Sequence, residues 1–226
     1  MLRYPLLSIV ALTAALSVSA TSFANPFDLA TATGLFEPSF RGDANTTYLG
    51  WDLFGNPGDS VINDTTPDLG SDAGSFITTN NEDHQSGSLN YYSGSGSVAE
   101  DVTFATDGVN GSGFTTVVVQ AKTLFGGWGV DMDFGPIDGV EPSLVLQATN
   151  ATGSGQLFVK YELPGTADPE TFSMTSGPVS FTSFGEYVVD TAWSPTAFAA
   201  DTAVATPEPS AAVLVLLSAG ALLRRR

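Results

Sequence analysis

The chain has no cysteine, so it holds neither a disulfide framework nor a thiolate metal site, and its stability must come from a packed core. One histidine, His84, excludes histidine-rich metal sites by count. Basic residues are scarce as well. Of the 7 Lys and Arg, Arg3 and Arg224 to Arg226 lie at the ends, which leaves Arg41, Lys122 and Lys160 between them. Against 24 Asp and Glu the net charge is −17, a surface that repels nucleic acid and anionic lipid and favours solubility, divalent cations or basic partners. Also missing, between the two ends, is any 3.6-residue apolar period, which argues against helices.

The body is rich instead in Gly, Ser, Thr, Asp and Asn, and short β-like runs recur between turn residues. They are 47–54, 75–79, 88–92, 98–106, 114–123, 130–134, 143–148, 156–162 and 186–192. This spacing predicts an all-β fold over residues 25–194, an antiparallel β-sandwich or jelly roll, with 195–206 as a small-residue linker. Alternation places Leu157, Val159 and Tyr161 on the core face and Gln156, Lys160 and Glu162 outward, with Phe158 breaking the pattern. Asp107-Gly108 and Asn110-Gly111 accept positive φ, so 98–106 and 114–123 read as a hairpin. Residues 25–43 read as an irregular lead-in strand or arm.

Several groupings have the residue types that chemistry needs. In Val130-Asp131-Met132-Asp133-Phe134 the period of two sets Asp131 and Asp133 side by side on one face. Adjacent carboxylates repel unless protonated or bridged by a cation, and Asp138 and Glu141 stand close enough in sequence to complete an oxygen cage that suits Ca²⁺. The plainer alternative is a solvated acidic face. A second acidic loop contains Asp59, Asp64, Asp68 and Asp72, where Asx-turn chemistry competes with Ca²⁺ binding. Trp128, flanked by glycines, is a candidate platform for a sugar ring, with Asp131 and Asp133 as acceptors for its hydroxyls. Trp51, Tyr91 and Tyr92 are weaker candidates, for which core packing is the plainer reading. His84 lies in a polar loop, and no Gly-x-Ser-x-Gly elbow accompanies it. No catalytic residue stands out, although the many carboxylates leave glycoside chemistry open by inventory.

The two ends are more specific. Arg3, an apolar stretch over 6–18 and the small residues Ser22 and Ala24 read as a signal peptide over 1–24, with signal peptidase expected to cut after Ala24, Ala20 being the alternative position and a noncleaved anchor the competing reading. At the other end Pro207-Glu208-Pro209 precedes an apolar segment, 211–223, and a terminal Arg224-Arg225-Arg226. As a helix this segment reaches about 20 Å, short of the roughly 30 Å of a bilayer core, which suits a transient anchor better than a permanent span. The arginines hold its end on the cytoplasmic side.

These three parts in this order over 207–226 resemble the PEP-CTERM sorting signal of Gram-negative bacteria, which the membrane protease exosortase recognises. The resemblance covers the tail only. It implies cleavage at or near Pro207-Glu208-Pro209, a passing inner-membrane anchor, and an association with exopolysaccharide and biofilm matrix. The expectation from the whole chain is an exported, noncatalytic protein of the cell surface or extracellular matrix, with polysaccharide as the candidate ligand. The competing expectation is a secreted carbohydrate-active hydrolase or lyase on a jelly-roll scaffold.

Overall fold

The computed structural model describes residues 35–55, 62–79, 83–85, 87–93, 97–125, 132–149, 155–165, 170–178 and 182–200. Residues 1–24 and 207–226, read from the sequence as signal peptide and sorting tail, lie outside them, as does the second half of the expected linker, 201–206. The described residues form strands and contain no helix, as the missing helical period predicts. In chain order the strands are β1 (Thr46–Trp51), β2 (Asn63–Asp64), β3 (Leu69–Gly70), β4 (Gly74–Thr78), β5 (Asp83–Gln85), β6 (Tyr91–Ser93) and β7 (Ser97–Phe104). They continue with β8 (Phe114–Phe125), β9 (Met132–Phe134), β10 (Leu144–Thr149), β11 (Gly155–Pro164), β12 (Glu170–Pro178) and β13 (Thr182–Ser194).

Two antiparallel sheets result. The 8-stranded sheet runs β10-β11-β8-β13-β1-β3, with β6 paired to the start of β13 and β5 to β6. The 5-stranded sheet runs β2-β4-β7-β12-β9. Alternate residues of both sheets enter one apolar core: Leu49 and Trp51 of β1, Phe76 of β4, Val102 and Phe104 of β7, Val119 of β8 and Val189 of β13. Phe76 is its hub, with ring centroids of Trp51, Phe54, Tyr91 and Tyr187 at 5.7, 5.1, 5.6 and 5.2 Å. Such tilted and edge-on pairs add about 0.5–1.5 kcal/mol each beyond the area they bury.

The core-facing assignment of Leu157, Val159 and Tyr161 is correct, since all three are fully buried. The outward assignment of Gln156 and Lys160 is not, because both are buried too, and only Glu162 of that set is partly open. The far face of the large sheet is itself covered. Phe36 and Phe40, from the lead-in arm, pack with Leu144 and Leu146 against Val118 and Phe158 as a second apolar cluster. That cover explains both the apolar break at Phe158 and the unalternating Val117-Val118-Val119 run, the pattern of a strand buried on two sides.

The expected hairpin between 98–106 and 114–123 does not form. β7 belongs to the small sheet and β8 to the large one, so residues 105–113 carry the chain from one sheet to the other. The glycines there do adopt positive φ, but for a different purpose. The Trp193 indole lies against Gly108 and Gly113, where an added Cβ would come within 2.6 and 2.5 Å of it, and Trp193 Nε1 donates to Ser112 O at 2.9 Å. The crossing loop is thus fastened to the end of β13. A tight two-residue turn occurs instead at Asp138-Gly139, with φ of 50° and 76° and reciprocal backbone bonds between Ile137 and Val140.

Candidate functional site

An open surface recess of about 350 Å³ is lined by Gly55, Asn63, Asp64, Thr65, Thr66 and Asp68. It lies where the chain leaves β1 irregularly and returns through β2 and β3. In that irregular stretch Phe54 N donates to Leu89 O, whereas the N–H groups of Leu53, Gly55 and Thr66 are taken by carboxylates. Asp64 Oδ2 accepts from Gly55 N and Oδ1 from Thr66 N, both at 2.9 Å, the second contact closing an Asx turn. Asp68 Oδ2 accepts from Leu53 N at 3.0 Å, and Asp72 Oδ2 from Tyr48 N at 2.8 Å. Burial raises the Asp68 carboxyl above its ordinary value, with the charges of Asp64 and Asp52 adding to the rise and the hydrogen bond from Leu53 opposing it.

The lining carries no basic side chain, so the recess disfavours anions. Its carboxylate, amide and hydroxyl groups match a neutral polyhydroxyl ligand or a cation. Asp64 and Asp68 belong to the acidic loop singled out in the sequence. Gly55, Asn63, Thr65 and Thr66 carried no comparable signal, because the contact from Asp64 to Gly55 is made by folding rather than by spacing.

No protein-family model, no curated protein and no solved structure matches this chain. Its functional reading rests on its own residues.

The other sequence candidates are dispersed. Trp128 and Asp131 lie outside the described residues, as do Asp59, Pro207, Glu208, Pro209 and Arg224 to Arg226. Asp133 stands in β9 opposite Thr175. Asp138 and Glu141 are exposed, and Asp138 occupies the first central position of the tight turn. Among the described residues no three His, Asp or Glu are arranged to hold a metal ion. His84 stands in β5 opposite Tyr92. Trp51 and Tyr91 are fully buried in the aromatic core, which removes both as sugar platforms.

Two polar constellations were not legible beforehand. Glu100 is buried within the core near Tyr187 and Tyr161, and burial together with the Glu100 charge pushes the Tyr187 phenol well above its ordinary value. Tyr161 OH donates to Gly135 O at 2.8 Å. This cluster is closed to solvent. On the opposite face of the large sheet the arm is held by polar clamps. Gln120 brackets the Phe36 backbone, accepting from its N and donating to its O, both at 2.8 Å. Arg41 binds Asp190 through Nε to Oδ1 at 2.5 Å and Nη2 to Oδ2 at 2.8 Å, and its guanidinium lies 3.8 Å above the Tyr48 ring. Burial pushes the Asp190 carboxyl above its ordinary value despite the opposing pull of Arg41.

Proposed function

We propose that this chain is an exported, noncatalytic protein that a PEP-CTERM tail sorts to the cell surface or extracellular matrix, where its body binds polysaccharide. The observation that carries the proposal is the tail: Pro207-Glu208-Pro209, the apolar 211–223 segment and Arg224-Arg225-Arg226, in that order. Signal peptidase and exosortase are its processing partners, and the apolar segment anchors it in the inner membrane until cleavage. We take the body to be a β-sandwich of the jelly-roll kind, a reading supported by two antiparallel sheets that share one core. The ligand reading is supported by the polar recess at Asp64 and Asp68, whose acceptors suit sugar hydroxyls, and by Trp128 as a sugar platform.

The hydrolase or lyase alternative draws on one observation, the raised Asp68 carboxyl in the same recess as Asp64. It is the weaker reading because both carboxylates already accept backbone N–H groups that hold the loop.

The test is expression of the full chain with and without an exosortase, followed by intact-mass measurement of the envelope and medium fractions. With the protease the product is expected to end near Pro207, and Glu208→Ala is expected to preserve the tail. A tail that persists equally in both hosts would refute the sorting assignment. Retardation of the processed protein in polysaccharide gels, assayed in parallel for cleavage, tests the rest. Cleavage of the polysaccharide would replace the binding reading with the enzymatic one.

A further inference from the structure

A chain of net charge −17 resists self-association wherever two copies would bring carboxylates together. The ends of its sheets are therefore informative, because an end strand offers backbone groups to a further strand. Most of the described ends carry acid. β2 includes Asp64, β9 includes Asp133 and β5 includes Asp83, while β3 lies between Asp68 and Asp72. β10 differs. Its sequence, Leu144-Val145-Leu146-Gln147-Ala148-Thr149, has no charge, proline or glycine, the devices that usually blunt an edge. Among the described strands it pairs with β11 alone.

The side chains of β10 also leave apolar surface open. Val145 is 38 % exposed. Leu144 and Leu146, on the other face, are half-buried at the rim of the Val118 and Phe158 cluster, which ends there. A strand added beside β10 would extend that cluster.

We propose that β10 is a self-assembly edge that pairs antiparallel with β10 of a second copy and joins two 8-stranded sheets into one. A second copy is the occupant because its own β10 brings no charge, whereas the acidic edges of the same protein would bring carboxylates to the junction. The pairing is a two-fold contact, self-complementary by construction. Its register follows from the faces. A two-fold axis normal to the sheet keeps the leucine face of both strands on one side only if a residue stands opposite its own copy, since a one-residue slip reverses the faces. Centring on Leu146 meets this condition and sets Leu146 against Leu146, Leu144 against Ala148 and Val145 against Gln147. The two apolar rims then merge.

The absence of native cysteine makes the test direct. Full-length Val145→Cys and Gln147→Cys are prepared separately, mixed and oxidised, and dimers are scored on nonreducing gels. Directly opposite residues lie about 4.5–5.5 Å apart between Cα atoms, within disulfide reach. The mixture is expected to crosslink on the order of tenfold faster than either variant alone, because the alternatives place like cysteines on the diagonal. Val109→Cys, in an exposed loop, reports collisional crosslinking. Both test positions are on an edge strand, so loss of fold is not a concern of the kind a core variant raises. Thermal unfolding of each variant checks this. Adding Val145→Glu to the Gln147→Cys partner is expected to abolish the advantage of the mixture. A mixture that crosslinks no faster than Val109→Cys overturns the proposal, and fastest crosslinking by Gln147→Cys alone overturns the register.

Discussion

Replacing Arg41 by alanine strips the cation from a carboxylate that has no access to water, because the Asp190 side chain is 0 % exposed and that of Arg41 only 20 %. The two parallel hydrogen bonds between them cross 149 residues of sequence, so the pair holds the lead-in arm onto the large sheet. Breaking a buried pair from one side costs about 3–5 kcal/mol, since the remaining charge is left desolvated. The remaining exposure of Arg41 puts the expected loss near the lower figure, about 3 kcal/mol, with the cation over the Tyr48 ring included. At about 2–4 °C per kcal/mol for a chain of this size, the melting temperature falls by about 6–12 °C. Urea unfolding followed by tryptophan fluorescence measures the free energy. The charge-free pair Arg41→Met with Asp190→Leu is expected to recover most of it, because neither residue then buries an unpaired charge. A loss below about 1 kcal/mol for Arg41→Ala, the range of solvent-exposed pairs, would refute the claim that this pair is desolvated.

The glycines of the sheet-crossing loop should separate by what they touch. Gly113→Ala drives a methyl group into the Trp193 indole and is expected to cost more than about 2 kcal/mol and to shift the tryptophan emission, whereas Gly111→Ala meets only backbone strain, about 1 kcal/mol. Equal losses in urea unfolding would show that the indole is not seated on Gly113. The pH dependence follows from Asp68 and Asp190, whose folded carboxyls lie above the ordinary aspartate value of 3.8. A raised folded value means that the native state binds protons more tightly, so this contribution is fully present below 3.8 and is lost as pH rises through the folded values. Thermal stability is expected to increase as pH is lowered from 7 toward 4, helped by relief of charge repulsion. A monotonic decrease over that range would contradict the assignment.

Which parts of the fold were legible depended on where each signal resides. β8 and β11 announce themselves through β-branched and aromatic runs, and the period of two in Leu157, Val159 and Tyr161 identifies the core face. β12 does not, because Phe172 and Met174 are the only large apolar residues in Glu-Thr-Phe-Ser-Met-Thr-Ser-Gly-Pro, and the segment becomes strand by lying between β7 and β9. The burial of Gln156 and Lys160 was hidden for a related reason. The large sheet is covered on its far face by an arm whose clamp from Phe36 to Gln120 spans 84 residues, and no local pattern encodes such a contact. Asp107-Gly108 signalled positive φ correctly, but a dipeptide cannot say whether its turn returns to the same sheet or crosses to the other. At the recess, Asp64 and Asp68 were visible as an acidic loop, while their partners at Gly55 and Leu53 came together only in the fold.

The position of β13 carries a consequence for the order of assembly. Although last among the described strands, it lies at the centre of the large sheet, with β8 on one side and β1 on the other. Until residues 182–194 have emerged, β1 and β8 have no common neighbour, and the sheet exists at most as three unjoined fragments, β10-β11-β8, β1-β3 and β5-β6. Closure waits for the last strand. A polypeptide wired in this way keeps its large sheet open until the last of the described strands has been made, and the decisive folding step comes after that point.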